Sequence, residues 1–434
     1  MKTLARQGVL LPPTRTERER GGSTSSTFVR NVSLPIHGWF RFPAGFSAEW
    51  VRDLIEEEKQ TGKLVTLLDP FAGVGTAVLA GEEAGVPALG LEAQPFIARV
   101  AKAKLLWHTD AAKFSAFASA VLEDAKGRND APLEFPPLIR KCYPDDVLRD
   151  LQNLRCAWEN AADGGPPSEL TWLALTSILR VCSPVGTAPW QYVLPAKSKE
   201  KTVPPYRAFA IRVQNMVSDM TFRQSQGVSS TGEVLWSDAR ECGGVGDDSI
   251  TLVVTSPPYT NNYDYADATR LEMSFFGEVR GWGDLHQKAR RWLIRACSQH
   301  ASIERLRLRD ILESVGSVSF LGELQEVCAQ LAAERLRHGG KKDYHLMVAA
   351  YFADMRQVWG SLRRVCKPGA TLCFVVGDSA PYGVYVPVDR WLGELAVAAG
   401  FHSYRFERLR DRNVKWKNRK HRVPLHEGRL WVEG

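Results

Sequence analysis

Residues 63–105 constrain the fold more than any other stretch of the chain. They read KLVTLL, then Asp69-Pro70-Phe71-Ala72-Gly73-Val74-Gly75-Thr76, then an apolar run, then ALGLEA and FIARVAKAKL. The apolar residues 64–68 suit a short strand buried on both faces. Gly73 and Gly75 let the backbone turn sharply and let a ligand come close. The spacing predicts a helix over 76–83, stopped by Gly85. A second strand, 88–93, carries Glu92 at its end, and a further helix follows to about 107. This β–α–β–α order opens a doubly wound, mostly parallel α/β sheet of Rossmann-like type.

A second stretch, Thr255-Ser256-Pro257-Pro258-Tyr259, follows the apolar run 251–254. Proline lacks an N–H and cannot continue a ladder, so a strand must end here. An ordinary turn would use Gly, Asn or Asp. Two prolines give a stiff corner instead, flanked by a hydroxyl and an aromatic ring. Open α/β sheets bind ligands at such carboxyl ends of strands.

Two acids sharpen the glycine corner, which alone reads only as a tight βα turn. Glu92 stands where a carboxylate can accept hydrogen bonds from both ribose hydroxyls of an adenosine. Asp238 ends the run EVLWSDA, where it can meet the adenine amino group. The corner is short and carries no Gly-Lys-Ser/Thr, which argues against a phosphate-cradling loop. A nucleoside without phosphates fits better.

With both motifs in view, the chain resembles the amino-group DNA methyltransferases that use S-adenosyl-L-methionine. The resemblance implies a Rossmann-like class I methyltransferase fold with helical insertions. It assigns cofactor binding to Asp69, Phe71, Gly73, Gly75, Thr76, Glu92 and Asp238. It assigns the target amine to Ser256, Pro257, Pro258 and Tyr259. A serine at the head of the Pro-Pro motif is typical of enzymes that methylate the N4 amine of cytosine. Asn or Asp is more typical of those acting on N6 of adenine. HGWFRFPAGFSAEWV near the N-terminus, NNYDYAD after the motif and RRVCKPGATLCFVVGDS are similar to further family segments. The likeness covers 28–104 and 233–434 apart from a second insertion. The cofactor motif precedes the Pro-Pro motif here, whereas many cytosine N4 enzymes have the reverse order.

The chemistry is consistent with these residues. An aromatic amine is a weak nucleophile because its lone pair is delocalised. Acceptors that hold its two protons localise that pair. Ser256 Oγ and the Pro257 carbonyl can be those acceptors, with the prolines fixing the carbonyl's direction. Tyr259 can stack on a base swung out of the duplex. No metal is called for. A cytosine C5 mechanism needs a nucleophilic Cys in a Pro-Cys step, and none of the eight cysteines follows a proline. Rival readings are an adenine N6 enzyme, an RNA amino-methyltransferase, and an inactive nucleic-acid-binding subunit.

The 434 residues exceed one compact domain. Residues 1–28 read as a polar, basic flexible tail. The catalytic domain is expected to be discontinuous, 29–104 and 231–434. Residues 105–230 read as a helical insertion and a candidate target-recognition domain, with Lys197, Lys199, Lys201 and the aromatic step Trp190-Gln191-Tyr192. Removing it should change the methylated site and spare cofactor binding. A second helical insertion is expected over 270–346. Nine Lys/Arg and two acids fall in 405–422, with Trp416 among them, and another basic cluster is Lys288, Arg290, Arg291 and Trp292. Basic residues interleaved with aromatics suit double-stranded DNA as well as a plain solvated face. His37 reads as a pocket residue or a core histidine. Asn261, Asn262, Tyr263, Asp264 and Tyr265 read as a gate or as loop packing. Arg270 reads as a phosphate contact or the partner of an acid.

Scattered cysteines without a Cys-x-x-Cys pair, no secretory pattern at the N-terminus and no apolar run of about 18 residues point to a cytoplasmic setting away from membranes. By analogy with the family, a cognate restriction or defence protein is the expected partner.

Overall fold

The computed structural model describes residues 28–434 except 43–44, 129–133, 188–192, 200, 262 and 413–422. The tail 1–28 except Phe28, the step Trp190-Gln191-Tyr192, Asn262 and most of the basic run that ends at 422 therefore lie outside the described residues.

Nine strands are described: β1 (Leu67–Asp69), β2 (Ala88–Glu92), β3 (Val185–Thr187), β4 (Val193–Ser198), β5 (Gly232–Trp236), β6 (Ile250–Thr255), β7 (Cys366–Gly377), β8 (Ser403–Arg412) and β9 (Leu425–Glu433). Seven form one sheet in the order β5-β2-β1-β6-β7-β9-β8. The first five run parallel, and β9 is antiparallel to both β7 and β8. This is the Rossmann-like, mostly parallel sheet that the sequence predicts. The chain winds outward from β1 to β5, then returns to place β6 on the other side of β1. The switch point therefore lies between β1 and β6, and the two sequence motifs stand at the carboxyl ends of those two strands. Open α/β sheets form their binding crevice at this place.

Strand edges differ from expectation in two places. β1 begins at Leu67 rather than residue 64, and Leu64 is 91% exposed. The Thr66 amide donates to the Thr251 side chain at 2.9 Å instead of joining a ladder. The second difference is larger. Ser403–Arg412, read as part of a basic run, is the edge strand β8. Its charged side chains obscure the alternation expected of a strand, and charge on an edge also discourages pairing with other chains.

Side chains along the central strands alternate between two cores. Leu67 and Val254 face one, and Leu68 and Val253 the other. The first core holds the helices Ala48–Gln60, Thr76–Glu83 and Pro95–Leu105. It also holds Trp107, Phe114, Leu148, Trp172 and Met216 from residues 105–230. The second core joins Phe320, Leu324 and Leu331 to Phe352 and Trp391. Both inserted segments are thus continuous with the sheet's own packing. Bonds reinforce the first. Arg99 binds Glu169 through two contacts of 2.9 Å, and the buried Glu82 accepts from Trp107 Nε1 at 2.8 Å and the Gly232 amide at 3.1 Å. The lysine-bearing loop folds as the hairpin β3–β4. Lys197 and Lys201 are exposed, while Lys199 donates to the Arg180 carbonyl. Among the described residues no helix is long and apolar enough to cross a membrane.

Candidate functional site

The corner after β1 is shaped by two left-handed glycines, Gly73 at φ 52° and Gly75 at φ 82°. A side chain at either would be strained. Gly75 is the N-cap of Thr76–Glu83. Across the switch point, Thr255 Oγ1 donates to Asp69 Oδ1 at 2.6 Å, and the Phe71 amide donates to the same oxygen at 3.0 Å. Asp69 is 1% exposed, and burial pushes its carboxyl up to about 7 against those two bonds.

Glu92 reaches back from the end of β2. Its Oε2 accepts from the Gly73 amide at 2.9 Å and its Oε1 from the Gln94 amide at 2.8 Å. The Ala93 amide bonds the same carboxylate, which still keeps acceptor capacity for a ligand. Desolvation raises its carboxyl to about 7, and Asp69 adds to the effect. Asp238 follows β5 and is gripped by Arg240, with Nη2 2.6 Å from Oδ2 and Nε 3.0 Å from Oδ1.

Two cavities meet at the glycine corner. The larger is lined by Phe71, Gly73, Glu92, Asp238, Ser256 and Pro258, together with Tyr265, Leu293 and Ile294. The smaller is lined by His37, Arg41, Phe42, Phe71, Gly73, Thr76 and Ser256, among others. Phe42, Phe71, Gly73 and Ser256 belong to both. The sequence-predicted residues Phe71, Gly73, Thr76, Glu92, Asp238, Ser256 and Pro258 are therefore brought together. Asp69, Gly75, Pro257 and Tyr259 stand behind the cavity walls.

Behind the walls the Pro-Pro corner is held from three sides. Ser256 Oγ donates to the Val375 carbonyl of β7 at 3.1 Å. The Tyr259 amide, the first N–H after the prolines, donates to the Tyr265 hydroxyl at 3.2 Å. Ser379 Oγ donates to the Thr260 carbonyl at 2.6 Å. The Arg412 guanidinium lies 5.2 Å from the centre of the Tyr259 ring, so one face of that ring is covered. The loop beyond is anchored by Asp264, whose Oδ2 receives Arg290 Nη2 at 2.6 Å with both residues buried. Arg270 pairs with Asp267 at 2.7 Å, the partner-of-an-acid reading.

Leu293, Ile294, Gln94 and Tyr265 line the larger cavity without having been singled out as pocket residues, Tyr265 apart. The two apolar residues come from the second insertion, far away in sequence. They are held by Asp354, which is fully buried and receives Arg295 Nη2 at 2.6 Å and Arg240 Nη1 at 3.4 Å. No periodicity signals such a contact. An arginine two residues after the strand-end Asp238 is the one clue the sequence offers.

The donor set selects a class of ligand. The larger cavity presents two carboxylates and no Lys or Arg. That lining suits hydroxyl and amine donors and opposes phosphates.

The chain matches no model of a known protein family. It is 24% identical over 429 residues to the type II methyltransferase M.BsoBI of Geobacillus stearothermophilus, covering 89% of this chain and 82% of that one. It is 25% identical over 410 residues to the type II methyltransferases M.AvaI of Nostoc sp. and of Anabaena variabilis, covering 87% of this chain and 81% of each. The uncovered remainder is shorter than either inserted segment, so the likeness extends into both.

Proposed function

We propose that this chain is a DNA methyltransferase of a restriction–modification system. It moves a methyl group from S-adenosyl-L-methionine to the exocyclic N4 amine of cytosine. The similarity to type II methyltransferases over most of both chains supports the coarse reading. The acceptor mechanism rests on the chemistry of the corner, and the choice of cytosine on the resemblance carried by the serine at the head of the Pro-Pro motif.

The single observation that carries it is the Ser256 hydroxyl. Its proton is committed to the Val375 carbonyl, and the Tyr259 hydroxyl also bonds Oγ, which leaves one of its two lone pairs for the cleft. What Oγ offers the cleft is therefore a lone pair. A hydroxyl fixed as an acceptor suits an amine whose lone pair must be localised on nitrogen, because it holds one of the two N–H protons. The Pro257 carbonyl is the second acceptor in this reading. Glu92 takes the ribose hydroxyls, Asp238 the adenine amine, and Phe71, Gly73 and Thr76 border the methionine end. Asp69 and Gly75 act one step back, by fixing the corner. The bound cofactor supplies an electrophilic methyl for direct displacement. Tyr259 is proposed to stack on the extruded base. Residues 105–230 are proposed to carry the target-reading surface.

The test treats DNA with the protein and labelled cofactor, then separates the nucleosides by mass spectrometry. Label as N4-methylcytosine is the expected result. N6-methyladenine would keep the acceptor mechanism and overturn the base. Label in RNA and none in DNA would overturn the reading.

A further inference from the structure

His37 lines the smaller cavity and is 4% exposed. It belongs to the short 3₁₀ turn His37–Trp39, and its carbonyl is fixed by Lys104 Nζ at 2.9 Å. The same ammonium lies 3.4 Å from the Val74 carbonyl of the glycine corner, so both walls of the cavity are tied to one group. The ring itself has one partner. Nε2 is 3.3 Å from Glu83 Oε1, while Nδ1 is buried without a hydrogen bond.

The surroundings decide the tautomer. Glu83 also binds Arg223, from the helix Pro205–Ser225, and Arg52 stands at 3.9 Å. Burial works against its charge, yet the bond to His37 and these two cations hold its carboxyl at about 2. It is an acceptor only. His37 is itself pushed toward the neutral form by burial. A neutral imidazole that gives its Nε2 proton to Glu83 has a bare lone pair on Nδ1. A buried acceptor of this kind, left unmade, costs free energy comparable to a lost hydrogen bond. No carboxylate lines the smaller cavity, which also holds Arg41, so an amino-acid end there meets a cation for its carboxylate and no acidic partner for its ammonium.

We propose that His37 Nδ1 accepts a hydrogen bond from the α-ammonium group of the cofactor's amino-acid end. This rests on the cofactor reading above and deepens it. It also gives residues 105–230 a part in cofactor binding, through Arg223, Glu83 and His37 in sequence.

The test is calorimetric titration of the full chain with two probes. S-adenosylhomocysteine carries the amino-acid end, and 5′-methylthioadenosine lacks it. His37→Phe is expected to weaken the first by roughly tenfold or more, the worth of a hydrogen bond to a charged group. It should leave the second unchanged, which also shows that the pocket is folded. His37→Gln, which restores a side-chain acceptor, should recover part of the loss. Unchanged S-adenosylhomocysteine affinity in His37→Phe would overturn the proposal. So would equal weakening of both probes, or loss of both in the two variants, since either marks a structural role. A wild-type protein that binds neither probe would overturn the cofactor reading itself.

Discussion

Thr255 and Asp69 join the two motifs directly, through a hydroxyl proton shared at 2.6 Å across the switch point. Both side chains are buried. The glycine corner and the Pro-Pro corner are therefore one rigid unit rather than two loops that meet. Thr255→Val is expected to cost about 1–3 kcal/mol, because it strands a buried carboxyl with one remaining partner. Thr255→Ser should recover most of that. Urea denaturation would show it as a lower midpoint at an unchanged slope.

Ser256 is expected to matter for turnover more than for cofactor affinity. Ser256→Ala removes the proposed acceptor and should lower kcat by about 10²-fold, the usual scale for one preorganised polar contact to a reacting group. S-adenosylhomocysteine affinity should change little, since the carboxylates proposed to hold the nucleoside stay in place. Single-turnover kinetics beside calorimetry separates the two. A variant with full activity would sink the acceptor role.

Much of this site was legible in the sequence because it is local. Glycines, prolines and strand-end acids mark corners by backbone chemistry, and corners at neighbouring strand ends must converge once the winding order is known. What stayed hidden is what arrives from elsewhere. Leu293 and Ile294 reach the cleft only because buried Asp354 holds Arg295 and Arg240 together. The edge strand Ser403–Arg412 was hidden by its own charges. The separateness of residues 105–230 was suggested by composition, yet their apolar faces share the sheet's core.

The two raised carboxyls give a pH dependence with a definite sign. Asp69 and Glu92 both stand at about 7, above their ordinary values of 3.8 and 4.5. The folded state therefore binds more protons than the unfolded state between about pH 4 and 7. The stability from these groups is complete below that window and is lost as pH rises through about 7. Glu92→Gln should raise Tm relative to the parent at pH 8 by more than it does at pH 5. Cofactor affinity should run the other way. Ribose hydroxyls need the ionised carboxylate, so S-adenosylhomocysteine binding should strengthen as pH rises through about 7. In Glu92→Gln that rise should flatten. Titrations from pH 5.5 to 8.5 check both.

Glu82, on the helix Thr76–Glu83, ties down the start of the 105–230 segment through Trp107 and the strand that follows that segment through Gly232. Glu82→Ala leaves a buried indole N–H and a backbone N–H without acceptors. A loss of about 3 kcal/mol is expected, with Glu82→Gln recovering part of it. By the same logic, excising the whole segment should leave no folded protein, because it strips Trp107, Phe114 and Trp172 from the shared core. Exchanging its exposed residues should be tolerated. Circular dichroism melts of the excision and of surface exchanges would separate the two cases.

The buried pair Arg290 and Asp264 anchors the loop that carries Tyr265, and Tyr265 in turn holds the Tyr259 amide. Arg290→Met leaves Asp264 charged, buried and poorly paired, and should cost about 3–5 kcal/mol. Replacing both partners at once, with Arg290→Met and Asp264→Asn, should recover at least half, because most of the single-variant cost is an uncompensated charge rather than a lost attraction. Turnover should not recover in step with stability. The double variant folds without the fork that orients the loop, so Tyr259 loses its fixed amide partner and kcat stays low while S-adenosylhomocysteine still binds. Denaturation and single-turnover rates on the same three proteins test this. If the double variant regains full turnover, the pair serves stability alone.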